Sequence, residues 1–375
     1  MSFSEWKTYK LGEIAQLRKE QVLPKGKEQP YIGLEHIEQQ TLRLIGVGSS
    51  NDVISNKFQF RKGDILYGKL RPYFRKVYQP KFDGVCSTDI YVIKNKSGID
   101  GKFLFYIAAT EDFTQIANSG STGTRMPRAD WNQLKASEWL VPSIKTQEQI
   151  GSILSSLDDK IELNRQTNQT LETMAQALFK EWFVNFNFPG SIGKMVDSEL
   201  GMIPNGWKVG NVGDLFELQR GFDLPTTTRT DGKYPVIAAS GFNGFHNEFK
   251  INAPGITTGR SGVLGNVFYV QEDFWPLNTS LFIKEFKKAT PLFAFHILQR
   301  LDLKSLNGGS AVPTLNRNEV HKLVTVIPEQ EVIQLFEKII KPTFELIFSN
   351  EKQIQVLTRL RDSLLPRLMK GEIVV

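Results

Sequence analysis

The chain has 375 residues, with 46 Lys and Arg against 40 Asp and Glu, a net charge of +6, 40% hydrophobic and 23% charged residues. This composition supports folded cores and excludes wholesale disorder, and a pI near 9.1 permits a polyanionic partner. No apolar run approaches the roughly 18–20 residues that cross a bilayer, MSFSEWKTYK lacks a signal-type apolar region, and Cys86 has no second cysteine to pair with. A cytoplasmic chain with no membrane contact is therefore expected. Four histidines and one cysteine argue against a dedicated zinc site.

The chain repeats itself. Trp6, Gly12, Glu13, Ile14 and Leu17 match Trp207, Gly213, Asp214, Leu215 and Leu218 at an offset of 201. Gly68-Lys69 matches Gly259-Arg260, and Ser87-Thr88 matches Asn278-Thr279, at 191. Gly123, Pro127 and Pro142 match Gly309, Pro313 and Pro328 at 186. The order is kept and the offset drifts slowly, as changes in loop length would cause. The positive charge follows the repeat. Residues 1–141 carry 21 basic and 15 acidic side chains, and 207–328 carry 13 and 10.

In chain order, the first copy opens with short β-rich runs between Gly, Pro and Asn turns: Asp64–Tyr67, Val77–Gln79 and Asp89–Lys94. A helical pattern covers Lys102–Ala117, and a strand at Trp139–Pro142 closes the part. The second copy offers Gly255–Thr258, Val267–Val270, Ser280–Lys284, a helix at Pro291–Leu301 and a strand at Val324–Pro328.

Each mixed part leads into one long helix. Thr146 and Gln149 have capping-box spacing. Beyond them Leu154, Ile161, Asn168, Ala175 and Trp182 recur every seven residues, as do Ile150, Leu157, Asn164, Leu171 and Leu178, which is a coiled-coil-like seam. The second copy has Ile333, Ile340, Ile347, Ile354 and Leu368, interleaved with Phe336, Leu357 and Leu364. Pro342 is expected to kink or divide that helix near Lys341. Domain limits follow: mixed domains at 1–142 and 207–328, long helices at 143–186 and 329–375, and a linker at 187–206. The fold class is α+β, two similar domains with two long helices and a pseudo-two-fold internal repeat.

Enzyme motifs are wanting. Gly63–Leu70 nearly spells a phosphate-binding loop, but Leu70 stands where a hydroxyl should hold magnesium and Pro72 blocks the helix that should follow. There is no dinucleotide turn and no Asn-Pro-Pro-aromatic run. Asp100-Gly-Lys102 lacks a second acidic partner for nuclease chemistry and reads as a turn.

The residues suit a nucleic-acid binder better. Lys69, Arg71, Arg75 and Lys76 surround Tyr73 in an eight-residue stretch that also holds Phe74. Cations attract phosphates, and a bidentate Arg reads guanine O6 and N7. Thr124, Arg125 and Arg128 lie in a second, Gly- and Ser-rich loop. In the second copy the candidates are Arg220, Arg260, Ser261, Asn307, Ser310 and Arg317. A solvated strand edge and mobile turns are the plainer alternatives. Leu157, Ile161, Leu171, Leu178 and Trp182, with Ile340, Ile347, Ile354 and Leu364, are assigned to helix pairing and subunit assembly. For Trp182 and Phe183 both an outward anchoring role and burial between the helices stay open.

LYGKLRPYFRKVY, STDIYVIK, STGTRMPRADW, LVPSIKTQEQIGSILSSLDDKIELNRQ, ALFKEWFVNF and SLLPRLMKGEI together resemble the specificity (S) subunits of type I restriction-modification systems. The resemblance runs through essentially the whole chain. It implies two DNA target-recognition domains, and two long helices that pair antiparallel and space them. It implies double-stranded DNA as ligand and two methyltransferase (M) subunits and restriction (R) subunits as partners. S-adenosylmethionine and ATP then belong to those partners, with no cofactor and no catalysis in this chain. An asymmetric bipartite target is expected, with half-site centres roughly 10 bp apart. Two rivals are a fused nuclease or methyltransferase and a coiled-coil interaction scaffold.

Overall fold

In the computed structural model, residues 6–23, 28–121, 126–191 and 193–375 are described. The first domain begins with Lys7–Lys10, paired antiparallel with Glu138–Val141, so the start and the end of the domain share one ribbon. The second begins in the same way, with Lys208–Asn211 on Val324–Ile327. In each, a one-turn helix follows at once. The Glu13 carboxylate accepts from the Lys10 backbone N–H at 2.6 Å, and Asp214 accepts from the Asn211 N–H at 2.9 Å. These carboxylates meet N–H groups that the first turn of a helix leaves unpaired.

Each domain then builds a four-stranded sheet in the same order. In the first it is Ala15–Leu17, Ile90–Asn95, Ile65–Gly68 and Val77–Tyr78. In the second it is Phe216–Arg220, Ser280–Phe286, Gly255–Gly259 and Val267–Val270. Their second sheets differ. The first domain has five strands ordered Gln21–Val22, Lys57–Phe60, Gly84–Cys86, Pro30–Ile32 and Gly48–Ser49, and the second has three.

The helix expected over Lys102–Ala117 is two helices, Gly101–Ala109 and Glu111–Ser119. Thr110 divides them. Its extended backbone ends the first, and its hydroxyl accepts from the Phe113 N–H at 3.2 Å to cap the second. Asp100, weighed above for nuclease chemistry, caps the first through the Phe103 N–H at 2.8 Å.

The long helices run from Ile144 to Phe183 and from Gln330 to Met369, 40 residues each. The first is capped one turn earlier than Thr146 and Gln149 suggest: Ser143 Oγ accepts from the Thr146 N–H at 3.3 Å. Nor does Pro342 divide the second, which stays helical throughout. Pro342 and Lys338, the residue whose carbonyl loses its helical donor, are both exposed. Water can satisfy that carbonyl there, which is where a helix tolerates proline best.

Packing divides the chain into two compact units, Met1–Leu163 with Gln353–Val375, and Asn164–Lys352. Within the second unit the helices run antiparallel. Asn168 Nδ2 donates to the Ile347 carbonyl at 3.1 Å, and Trp182 sits edge-on to Phe336 with centroids 5.9 Å apart. Ile161, Trp182, Ile340 and Ile347 are buried, and Leu157, Leu171, Leu178, Ile354 and Leu364 are half-buried. In the first unit Arg361, 3% exposed, pairs with Asp158 at 2.7 Å, and Tyr106 donates to the same carboxylate at 2.6 Å. Of the two readings of Trp182 and Phe183, the structure has burial: Phe183 packs on Phe293, Trp207 and Phe336.

Candidate nucleic-acid interface

In each domain a strand of the four-stranded sheet ends at a glycine and delivers a cation to a corner. The strand Ile65–Gly68 leads to Lys69, and Gly255–Gly259 leads to Arg260. The corner is fixed by backbone hydrogen bonds that recur in both copies. Lys69 N donates to Asp89 O at 2.9 Å, and Arg260 N to Thr279 O at 2.8 Å. Arg71 N donates to Pro127 O at 2.7 Å, and Gly262 N to Pro313 O at 2.9 Å. Ala129 N donates to Lys69 O at 2.9 Å, and Leu315 N to Arg260 O at 2.8 Å. Leu70 bridges Arg128 as Ser261 bridges Thr314. The two loops that sequence singled out in the first copy, around Lys69–Lys76 and around Arg128, are thus bound edge to edge. The same register makes Asp89 equivalent to Thr279, one residue away from the offset of 191 read in the sequence.

The side chains at this corner have distinct fates. Arg71 is exposed, in the left-handed region at φ 51°, and its guanidinium has no hydrogen-bond partner among the described residues. Tyr73 is 44% exposed and edge-on to Phe74. Lys69 Nζ lies over the Tyr91 ring at 5.4 Å. Arg128 is exposed, with Nε 3.1 Å from Asp89 Oδ1. Thr124 and Arg125 lie outside the described residues.

Two candidates face elsewhere. Arg75, at φ 43°, pairs with Glu111 at 3.3 Å and lines a cleft of about 500 Å³ with Trp139, Leu365 and Met369. Lys76 Nζ donates to the Leu34 carbonyl at 2.6 Å, and burial lowers its pKa. A fixed, desolvated ammonium is a poor phosphate ligand compared with a free one. The 3-10 turn Pro72–Phe74 lies between the two left-handed arginines, so the stretch is not one extended segment with its cations on a common face.

In the second domain Arg260 is half-buried and donates to the Asn278 carbonyl at 3.2 Å. Ser261 is half-buried beside it. Arg220 is exposed and 3.5 Å from Asp223, whose carboxylate also accepts from the Asn278 amide. Asn307 Oδ1 accepts from Gly309 N and Thr314 N, both at 2.9 Å, so it shapes its loop. Ser310 is exposed, and Arg317 donates to the Leu218 carbonyl at 3.4 Å. Asp89, Asp223 and Asn278 are not among the sequence candidates. Asp89 lies 39 residues from Arg128, so their pairing leaves no local mark in sequence, whereas Asp223 is only three residues beyond Arg220 and its spacing is a usable signal.

Among the described residues, no group of three or more His, Cys, Asp or Glu side chains is gathered as metal ligands, and no helix is long and apolar enough to cross a membrane. Cys86 is buried, which raises its thiol pKa.

Residues 3–173 and 204–359 match the family model described as type I restriction modification DNA specificity domain. The chain is 28% identical to the type I restriction enzyme MjaIX specificity subunit of Methanocaldococcus jannaschii, over 74% of this chain and 70% of that one. It is 26% identical to the HindI specificity subunit of Haemophilus influenzae, over 99% and 100%. The fold is similar to that of the S subunit of a type I restriction-modification system from M. genitalium, with a TM-score of 0.66, 16% identity, and 97% and 96% of the two chains covered.

Proposed function

The chain belongs to the type I restriction-modification DNA specificity family, whose members select DNA, and from that premise we propose how this one divides the task. Each mixed domain, 1–142 and 207–328, reads one half of a bipartite duplex target with the corner described above. The observation that supports this is the repeated corner itself. Backbone hydrogen bonds hold it alike in both copies, while its side chains differ: Lys69, Arg71 and Arg128 in one, and Arg260, Gly262 and Thr314 in the other. Shared frames with different base-reading groups give an asymmetric target.

The long helices, 143–186 and 329–375, set the separation of the half-sites, and their outer faces receive two methyltransferase subunits. In the second unit Leu335, Ile339 and Leu346 leave an exposed apolar stripe on one helix at 37%, 47% and 47% exposure. Restriction subunits join through the methyltransferases. Methyl transfer with S-adenosylmethionine and ATP-driven translocation belong to those partners in the cytoplasm, and this chain supplies the choice of site. The test is to co-express the chain with its methyltransferase subunit and sequence the modified DNA. An asymmetric motif with a fixed unread gap is expected. Methylation by the chain alone would favour a fused enzyme, and DNA binding indifferent to sequence would favour a scaffold.

A further inference from the structure

We infer that Arg128 reads a guanine in the half-site of the first domain, and that Asp89 is the positioning residue that holds it in reading geometry. This inference rests on the proposal that the first domain binds a duplex target.

A guanidinium has two edges that can pair bidentately: Nε with one terminal nitrogen, and the two terminal nitrogens together. Asp89 Oδ1 lies 3.1 Å from Nε, so it occupies the first edge. No other hydrogen bond of this guanidinium is formed among the described residues. Among the described residues the terminal edge has no partner, on a side chain 46% exposed, whereas Asp89 is 28% exposed and anchored through its backbone. Its N–H donates to Ser87 Oγ at 3.2 Å, and its carbonyl accepts from Lys69 N at 2.9 Å. An arginine tethered at Nε with its terminal edge unoccupied has the geometry to donate to guanine O6 and N7.

Charge decides between guanine and phosphate. Where Lys or Arg contacts a phosphate, unpaired positive charge serves best, and each such contact contributes to the salt dependence of binding. The Arg128–Asp89 pair is neutral overall, and a carboxylate beside a phosphate is repelled. Arg71, exposed just beyond the strand Ile65–Gly68 and without a side-chain partner among the described residues, suits a phosphate instead. Stability does not explain the pair either, since exposed ion pairs contribute little.

The duplicated domain supplies the control. Thr279 and Thr314 occupy the positions of Asp89 and Arg128, by the backbone register of both corners. Both threonine hydroxyls are used locally: Thr279 accepts from Ala239 N at 3.3 Å, and Thr314 bonds to the Val312 carbonyl at 3.1 Å. At this position the frame therefore presents a guanine-reading fork in the first domain and none in the second.

The experiment uses the full chain assembled with its methyltransferase subunits, and duplexes carrying the methylated motif or each single-base change, over a salt series. For Arg128→Ala, discrimination at one G·C pair should fall by about 5- to 150-fold. Asp89→Ala should relax the same position, and Asp89→Asn, which keeps an acceptor for Nε, should restore most of it. Arg71→Ala should instead lower the salt slope by about one and weaken all sequences alike. If Arg128→Ala lowers the salt slope and leaves every base preference intact, Arg128 is a phosphate clamp and the inference is wrong. It is equally wrong if both quantities stay unchanged. Should Arg128→Ala fail to fold, the isosteric Asp89→Asn and the Asp89→Ala variants carry the same test. A wild-type complex with no base preference would overturn the recognition proposal itself, and would be seen before any variant is made.

Discussion

Asn350 Nδ2 donates to Asn168 Oδ1 at 2.8 Å, within a helix seam that is largely apolar. Asn168 is 8% exposed and spends its own amide on the Ile347 carbonyl, which ties the two helices at a single register. Removing buried Asn168 takes away the acceptor of half-buried Asn350 and the tie to Ile347, at a cost of about 1 kcal/mol. Asn168→Ala should therefore lower stability by about that amount in urea titration. The double variant Asn168→Leu with Asn350→Leu should recover most of the loss, because an apolar pair leaves nothing unsatisfied. A polar pair in an apolar seam specifies alignment rather than adding stability. A double variant as damaged as the single one would refute this.

His296 gives the second unit a pH dependence. It is 3% exposed, ringed by Phe179, Phe295, Phe336 and Phe344 at centroid distances of 5.2, 5.2, 5.9 and 5.8 Å. Burial lowers its pKa from 6.5 to about 4. Between those values the unfolded chain binds a proton that the folded chain refuses. Stability contributed by neutral His296 is thus complete above about pH 6.5 and declines as pH falls towards 4, by up to about 3 kcal/mol. His296→Phe should flatten that part of the pH profile, measured as urea midpoints at pH 7, 5.5 and 4. An identical slope in the variant would remove His296 as its source.

Much of this architecture is legible in the sequence, for stated physical reasons. Seven-residue recurrence on both helices puts Leu154, Ile161 and Trp182, and Ile340 and Ile347, on their buried sides, as periodicity must. The duplication signals the common sheet order, because Gly68 and Gly259 end the same strand. Local competition is harder to read. Thr110 splits a helix whose apolar pattern continues across it, since one hydroxyl serves better as a cap than in mid-helix. Pro342 breaks nothing because its side of the helix meets water. The site was legible in part: Lys69, Arg71 and Arg128 share a corner, while Arg75 and Lys76 turn inward at two left-handed residues that no propensity marks. Asp89, 39 residues before Arg128, pairs with it only once the strand edge has formed.

The stripe of Leu335, Ile339 and Leu346 is expected to matter for assembly and little for folding. These side chains are exposed, so replacing one with a charge leaves no cavity and buries no ion. Ile339→Asp should change thermal stability by no more than about 0.5 kcal/mol. If the stripe seats a methyltransferase subunit, the same change places a desolvated charge in an apolar contact and should weaken the complex by tenfold or more. Analytical ultracentrifugation of the chain mixed with its methyltransferase subunit measures this directly. Full-affinity assembly by a folded Ile339→Asp chain would move the docking face elsewhere.

Exchange of the second domain tests the division of labour between the repeats. Residues 207–328 start and end on one antiparallel ribbon, Lys208–Asn211 with Val324–Ile327. A related domain that keeps this ribbon and the apolar residues that pack on the helices, Trp207 and Phe293 against Phe183 among them, can therefore be grafted onto the native helices. Its corner would bring different side chains to the places of Arg260, Ser261 and Arg220, while Lys69, Arg71, Asp89 and Arg128 stay unchanged. The methylated motif of the graft should differ in one half-site and keep the other. The unread gap should persist, because both long helices are native. Inserting four residues into the Ile144–Phe183 helix of the native chain should do the converse: lengthen the gap and preserve both half-sites. A graft that rewrote both halves of the motif would mean that the domains read the target jointly, and would refute the assignment of one half to each.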